Sequence, residues 1–176
     1  MRYSQLIAAC YRAQPAAILE IGTWNGERAQ QMLQVAPGAV YYGFDLFEDA
    51  TEQTDAEEMN VKRHDVLAEV EVRLRGYRAH LTKGNTRHTL ADFYHPVDFV
   101  WMDGGHSVET IASDFANVRR LAMPDAEIYL DDYYTGPIDT DKFGCNRLVA
   151  GLRHDVLPVT DPVSGGGFVQ MVRVWL

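Results

Sequence analysis

The stretch Ala16-Ala17-Ile18-Leu19-Glu20-Ile21-Gly22-Thr23-Trp24-Asn25-Gly26 decides the fold. Apart from Glu20, its first six residues are apolar on both alternating faces, as a strand buried on both sides of a parallel sheet requires. Gly22 and Gly26 then bracket a turn, and residues 26–35 carry a helical period that Pro37-Gly38 ends. A strand passing through a glycine turn into a helix is the opening half of a βαβ crossover. Ligands of open α/β sheets sit outside the carboxyl ends of the strands, near the point where the strand order reverses. The turn after the first strand is therefore the first place to look for a site.

Outward from this unit the chain alternates short apolar runs with helix-period segments. Leu6, Ile7, Cys10 and Tyr11 form a helical face ahead of it. Beyond it, strands are predicted at 40–44, 79–82, 97–102 and 127–130, with helices at 65–77, 108–121 and 143–152. Residues 48–60 are acidic and without clear period, either a loop or a short helix over the site. Residues 156–159 and 168–175, joined through Gly165-Gly166-Gly167, read as a closing hairpin. The whole predicts an α/β three-layer sandwich with a mostly parallel, seven-stranded sheet and an antiparallel C-terminal strand.

With 176 residues and 47% apolar content, the chain has the material for one domain, with little left for a second. Its formal charge of −9 disfavours a nucleic-acid backbone as partner. The basic cluster at 73–78 carries Leu and Tyr at helical spacing and reads as a solvated helix face. Cys10 and Cys145 are the two cysteines, too few for a disulfide framework or a cysteine zinc site. No run approaches the roughly 18 apolar residues of a membrane helix, and the N-terminus has no long apolar leader-like stretch. A soluble, cytoplasmic protein is expected.

The glycine spacing bears on the ligand. A dinucleotide site would need Gly-x-Gly-x-x-Gly to seat a pyrophosphate, whereas this chain has Glu20-x-Gly22-x-x-x-Gly26. The same glycines would also serve an ordinary strand-to-helix turn. The second strand ends Tyr42-Gly43-Phe44-Asp45, and an acid about 20 residues beyond the glycines can accept hydrogen bonds from both ribose hydroxyls. The fourth strand ends Met102-Asp103-Gly104-Gly105-His106, the fifth Leu130-Asp131-Asp132-Tyr133. Neighbouring strand ends lie about 5 Å apart, so these acids can converge. Three close carboxylates repel unless a proton or a cation intervenes, and oxygen ligands suit Mg²⁺ better than Zn²⁺. Solvated loop acids and a His106 bonded to backbone are the plain alternative.

Glu20-x-Gly22-x-x-x-Gly26 resembles the first motif of class I S-adenosylmethionine (SAM)-dependent methyltransferases. Asp103-x-x-His106 together with Asp131-Asp132 resembles the metal-dependent small-molecule O-methyltransferases, of the macrolide-sugar and, more distantly, the catechol type. Leu46-Phe47-Glu48 after Asp45 is similar to the matching segment of the macrolide-sugar enzymes. The resemblance covers residues 18–133. It implies a Rossmann-like methyltransferase domain with SAM at Glu20, Gly22, Thr23, Gly26 and Asp45, and with Asn85, Thr86 and Asp103 beside it. It implies Mg²⁺ on Asp103, Asp131 and Asp132, and His106 as the base that takes the proton of a hydroxylated small-molecule acceptor.

That chemistry is coherent. A sulfonium is already a strong methyl donor, so the enzyme has to supply a deprotonated oxygen in line with the methyl group. The rival readings are a metal-independent methyltransferase acting on another acceptor atom, and a SAM-fold binding protein without catalysis. Weaker expectations attach to Tyr133 and Tyr134 as flanks of an acceptor, to 48–60 as a lid, and to Asn146 and Arg147 at the pocket edge. Trp24 either packs on the cofactor or covers the sheet. A homo-oligomer could complete the pocket of so short a chain.

Overall fold

A computed structural model describes residues 1–60 and 63–176. In chain order the elements are α1 (Tyr3–Ala13), β1 (Ala17–Ile21), α2 (Glu27–Val35), β2 (Val40–Asp45), a 3-10 turn (Phe47–Asp49), α3 (Glu52–Glu57), α4 (Leu67–Arg73) and β3 (Ala79–Lys83). They continue with α5 (Thr86–Thr89), β4 (Val97–Met102), α6 (Val108–Leu121), β5 (Ala122–Thr135), α7 (Asn146–Val149), β6 (Arg153–Val156), β7 (Asp161–Pro162) and β8 (Phe168–Trp175). The strands form one sheet in the order β3-β2-β1-β4-β5-β8-β6, with the two-residue β7 beside β8. The pairs β3-β2, β2-β1, β1-β4 and β4-β5 are parallel, while β8 runs antiparallel to β5 and β6. The order reverses between β1 and β4, which places the switch point at the Gly22 turn. Among the described residues no helix is long and apolar enough to cross a membrane.

Alternate side chains of each strand feed two cores. Ile18, Tyr41, Phe99 and Trp101 face α1, α2 and α4. Leu19, Phe44, Val100 and Leu130 face the other layer, where Ile111, Phe115, Val118 and Leu121 supply the apolar stripe of α6. Each such side chain, taken fully from water, contributes about 1.5–3 kcal/mol before entropy is counted.

The elements differ from the sequence expectation mainly at their ends. α4 spans Leu67–Arg73, shorter than the predicted 65–77, and α7 keeps only Asn146–Val149 of 143–152. β5 is longer than 127–130 at both ends, because Ala122 pairs with Val97 of β4 and β8 pairs with it as far as Thr135. The strand predicted at 156–159 lies at Arg153–Val156. Leu157 N–H makes the last rung, to Met171 O (2.8 Å), and Pro158 has no N–H to continue the ladder.

Two residues of the opening motif hold the architecture together. Gly22 has φ +90°, and a Cβ there would lie 2.0 Å from the carbonyl oxygen of Asp103. The end of β1 thus lies directly against the backbone that follows β4, tied by Asp103 N–H to Ile21 O at 2.8 Å. Glu20 shares the inner face of β1 with Ile18 and is 1% exposed. The Tyr41 hydroxyl donates to its carboxylate, and the Thr23 hydroxyl lies 3.2 Å from the same phenol oxygen. Burial pushes the Glu20 carboxyl up to about 8, against the pull of the Tyr41 bond.

Two stability effects follow. Gly22→Ala should cost about 3 kcal/mol or more in chemical denaturation, since it meets both backbone strain and backbone contact. Gly38→Ala, with nothing within 4 Å of the added carbon, should stay within about 0.5 kcal/mol. For Glu20 the folded state holds its proton more tightly than the unfolded state. Its contribution is therefore full below about 4.5 and is lost as pH rises through about 8. Thermal melts should show Glu20→Gln gaining on the parent protein between about pH 5 and about pH 9. A pH-independent difference would contradict the assignment.

Candidate functional site

An open cleft lies over the carboxyl ends of β1, β2 and β4. Gly22, Asp45, Asn85, Thr86, Asp103 and His106 all line it. Asp45 is held in place by two backbone donors, Trp24 N–H on Oδ2 (2.7 Å) and Phe47 N–H on Oδ1 (2.8 Å). Each oxygen keeps a further lone pair for a hydroxylated ligand. Asn85 caps α5, its Oδ1 accepting from Arg87 N–H at 2.9 Å. Trp24, at φ 49°, walls the cleft and donates its indole N–H to Arg63 O at 2.7 Å.

Of the expected site residues, Asp131 and Asp132 lie buried behind the cleft lining, and three expected at the cofactor also stand outside it. Glu20 and Thr23 belong to the buried chain with Tyr41. Gly26, at φ +75°, begins α2, and a Cβ on it would lie 2.7 Å from Val70 of α4. Its missing side chain serves helix packing. Gly22 alone of the four places its backbone at the cleft.

The acidic segment 48–60 folds as a 3-10 turn and a short helix beside the cleft. Thr51 and Thr54 form a reciprocal capping box at the start of α3. Thr54, Asp55, Glu58 and Asn60 face the cleft, as does His64, whose Nε2 lies 2.6 Å from Asp55 Oδ1. Glu58 reaches across to the start of α6, accepting from Ser107 N–H (2.7 Å), Ser107 Oγ (3.1 Å) and Thr110 Oγ1 (2.5 Å). Gly105 makes room for this contact, since a Cβ there would lie 2.7 Å from Glu58 Oε2.

The acids gather at the inner end. Leu130 pairs with Val172 and Tyr133 with Gln170, so Asp131 and Asp132 together oppose the single residue Met171. This is a β-bulge, and Asp132 sits in it at φ +62°. Both acids are buried there, at 2% and 6% exposure. Gly144 allows the close approach, because a Cβ there would lie 2.4 Å from Asp132 O. Asp132 accepts from the Tyr134 hydroxyl at 2.8 Å, and its Oδ2 lies 3.5 Å from His106 Nε2. Ligand atoms of Asp103, His106 and Asp132 lie within 4.8 Å of one another. His106 Nδ1 is buried without a hydrogen-bond partner among the described residues.

Asp131 is engaged differently. Arg2 Nε and Nη2 bind its two oxygens at 2.7 and 2.6 Å, and the Tyr3 hydroxyl lies 3.2 Å from Oδ2 and 3.3 Å from Asp103 Oδ2. Burial, with Asp103 and Asp132 nearby, pushes the Asp131 carboxyl upward, and Arg2 pulls against this. The two short bonds are those of a charged pair. Burial and the neighbouring acids also raise Tyr3 and Tyr134, so both phenols keep their protons and donate.

Sequence reasoning missed Arg2, Tyr3 and Glu58. Arg2 lies 129 residues from Asp131, and no local spacing announces the pair. Asn146, expected at the pocket edge, instead clamps Tyr134 by accepting from its N–H (2.9 Å) and donating to its O (2.8 Å). Arg147 is exposed.

The family model described as "Methyltransferase domain" matches residues 19–133. No curated protein sequence matches the chain significantly. Among solved structures, the chain is similar to the O-methyltransferase TomG from Streptomyces achromogenes in complex with SAM. The identity is 15% and the TM-score 0.65, covering 98% of this chain and 78% of that one. Cofactor-bound Rv0187 from MTB gives 18% and 0.69 over 98% and 78%. The O-methyltransferase from Bacillus cereus in complex with SAH gives 16% and 0.65 over 98% and 79%. At these identities the likeness is one of fold, and the family match supplies the rest. The chain belongs to the methyltransferase-domain family and is a class I SAM-dependent methyltransferase whose fold is that of the O-methyltransferases.

Proposed function

We propose that the protein transfers the SAM methyl group to a hydroxyl oxygen of a small molecule. The observation that carries this reading is the convergence of the buried Asp132 on Asp103 and His106, which line the cleft whose walls hold Asp45 and Asn85. Asp45 would accept from the ribose hydroxyls, Asn85 and Thr86 would border the adenine, and the Gly22 backbone would lie against the methionine portion. In that arrangement Asp103 and His106 would be left to the acceptor.

There the acceptor hydroxyl must lose its proton as the new C–O bond forms and the C–S bond breaks. His106 takes that proton, imidazole being the side-chain base suited to neutral pH. Asp132 then faces an imidazolium, and the Tyr134 hydroxyl fixes the Asp132 carboxylate for the purpose. The donor set also fits a hard divalent ion such as Mg²⁺, with Asp103 and Asp132 as oxygen ligands. When bound, such an ion would lower the pKa of the acceptor hydroxyl. A second reading makes His106 the third ligand, favoured by the proximity of its ring nitrogen to both carboxylates and by its unpartnered Nδ1.

Calorimetry and methyl transfer from labelled SAM to a panel of small molecules bearing vicinal hydroxyls test the proposal. Asp45→Ala should lose SAM affinity. His106→Ala should keep SAM affinity but lose about 10²- to 10⁴-fold in kcat. Failure to bind SAM refutes the cofactor site, and turnover undiminished by a chelator refutes the ion alone. If His106 is a ligand, His106→Ala will also weaken Mn²⁺ binding.

A further inference from the structure

The acid cluster carries its own cation. Arg2, which precedes α1, is held from several directions at once. It binds both oxygens of Asp131, it binds Asp161 of β7 through Nη1 (2.9 Å) and its backbone N–H (3.2 Å), and it donates through Nη2 to the Tyr3 hydroxyl (3.0 Å). Its guanidinium also lies over the Tyr3 ring at 4.5 Å, and Arg28 lies 4.4 Å from the same ring. Tyr3 in turn meets Trp101 edge-on at 6.1 Å, which anchors the pair to the core. The Asp131 side chain is wholly buried and that of Arg2 is 13% exposed. A planar fork in such a mould is pre-organised for bidentate binding in a way an ammonium is not.

These contacts divide the three acids. Both Asp131 oxygens point at guanidinium nitrogens, and an ion bound there would sit against a fixed positive charge. Asp132 points the other way, toward Tyr134 and His106. We propose that Arg2 is the resident counter-cation of Asp131: it withdraws this carboxylate from coordination and leaves a divalent ion to the face made by Asp103 and Asp132. Arg2 and Tyr3 are then positioning residues, and they set where the ion and the acceptor oxygen lie. The inference rests on the ion-assisted reading above and holds for either role of His106. It departs from the expectation that Asp131 is itself a ligand.

The test uses the wild-type protein first. A bidentate bond slows exchange of the Arg2 Nε–H, whose NMR resonance is identified by its disappearance in Arg2→Lys. On titration with Mg²⁺, with Mn²⁺ calorimetry recording occupancy, that resonance should persist at saturation. Its loss on ion binding would mean that Asp131 leaves Arg2 to become a ligand, and would overturn the inference while the ion-assisted reading stands. No ion binding by the wild-type protein would overturn both.

A paired variant gives an independent measure. Arg2→Gln with Asp131→Asn removes both charges together, so its Mn²⁺ dissociation constant should stay within about three-fold of the parent. A folded double variant that weakens by about ten-fold or more, equivalent to ~1.4 kcal/mol, would place Asp131 among the ligands and refute the proposal.

Discussion

The whole site depends on one close backbone approach. At Gly22 the chain leaving β1 lies so near the chain leaving β4 that a Cβ would fall within 2.0 Å of Asp103 O. That contact joins the turn that opens the cleft to the turn that carries Asp103 and His106. Any side chain at Gly22 would wedge the two strand ends apart. Gly22 and the pair Asp103 and His106 would then no longer share one cleft. Steric necessity, together with a left-handed φ of +90°, explains the glycine here.

The second organising feature is an irregularity in the sheet. The bulge at Asp131 and Asp132 interrupts the regular alternation of β5 side chains. Opposing two residues to Met171 goes with an Asp131 turned to Arg2 and an Asp132 turned to His106 and Tyr134, at the cost of a left-handed Asp132. The resulting crowd of carboxylates is neutralised in part from within, by Arg2 on Asp131. It is ordered by phenols, Tyr3 on one side and Tyr134 on the other. The acidic segment after β2 has its own anchor, because Glu58 takes up the donors at the start of α6. The flank of the cleft is thereby tied to the helix that follows His106.

Much of this was legible in the sequence, and the limits have identifiable causes. The parallel strands, the antiparallel C-terminal strand and the placing of Asp45 and Asp103 at strand ends follow from apolar periodicity and glycine position. Strand and helix ends drifted where pairing overrode the pattern, as at 156–159, where Pro158 stops the ladder and the strand lies three residues earlier. Of the motif residues, Gly22 and Asp45 line the cleft, whereas Glu20, Thr23 and Gly26 support it from behind. A motif records which residue types are required at a turn. It does not distinguish those that touch a ligand from those that hold the turn.

The class of fold, the position of the cleft at the carboxyl ends of the strands, and the acids at the ends of β2 and β4 and late in β5 are thus all readable from the sequence. Those features arise from local rules, a two-residue alternation, a helical period and the freedom of glycine, each readable within a short window. Which acid is paired with Arg2, which one faces His106, and the closing of Glu58 on Ser107 and Thr110 emerge only in the folded chain. Such pairings are set by where charged side chains meet across 129 or 49 residues of intervening chain. The energy of a buried ion pair depends on the geometry and solvent exclusion at that meeting point, which no local window of sequence contains.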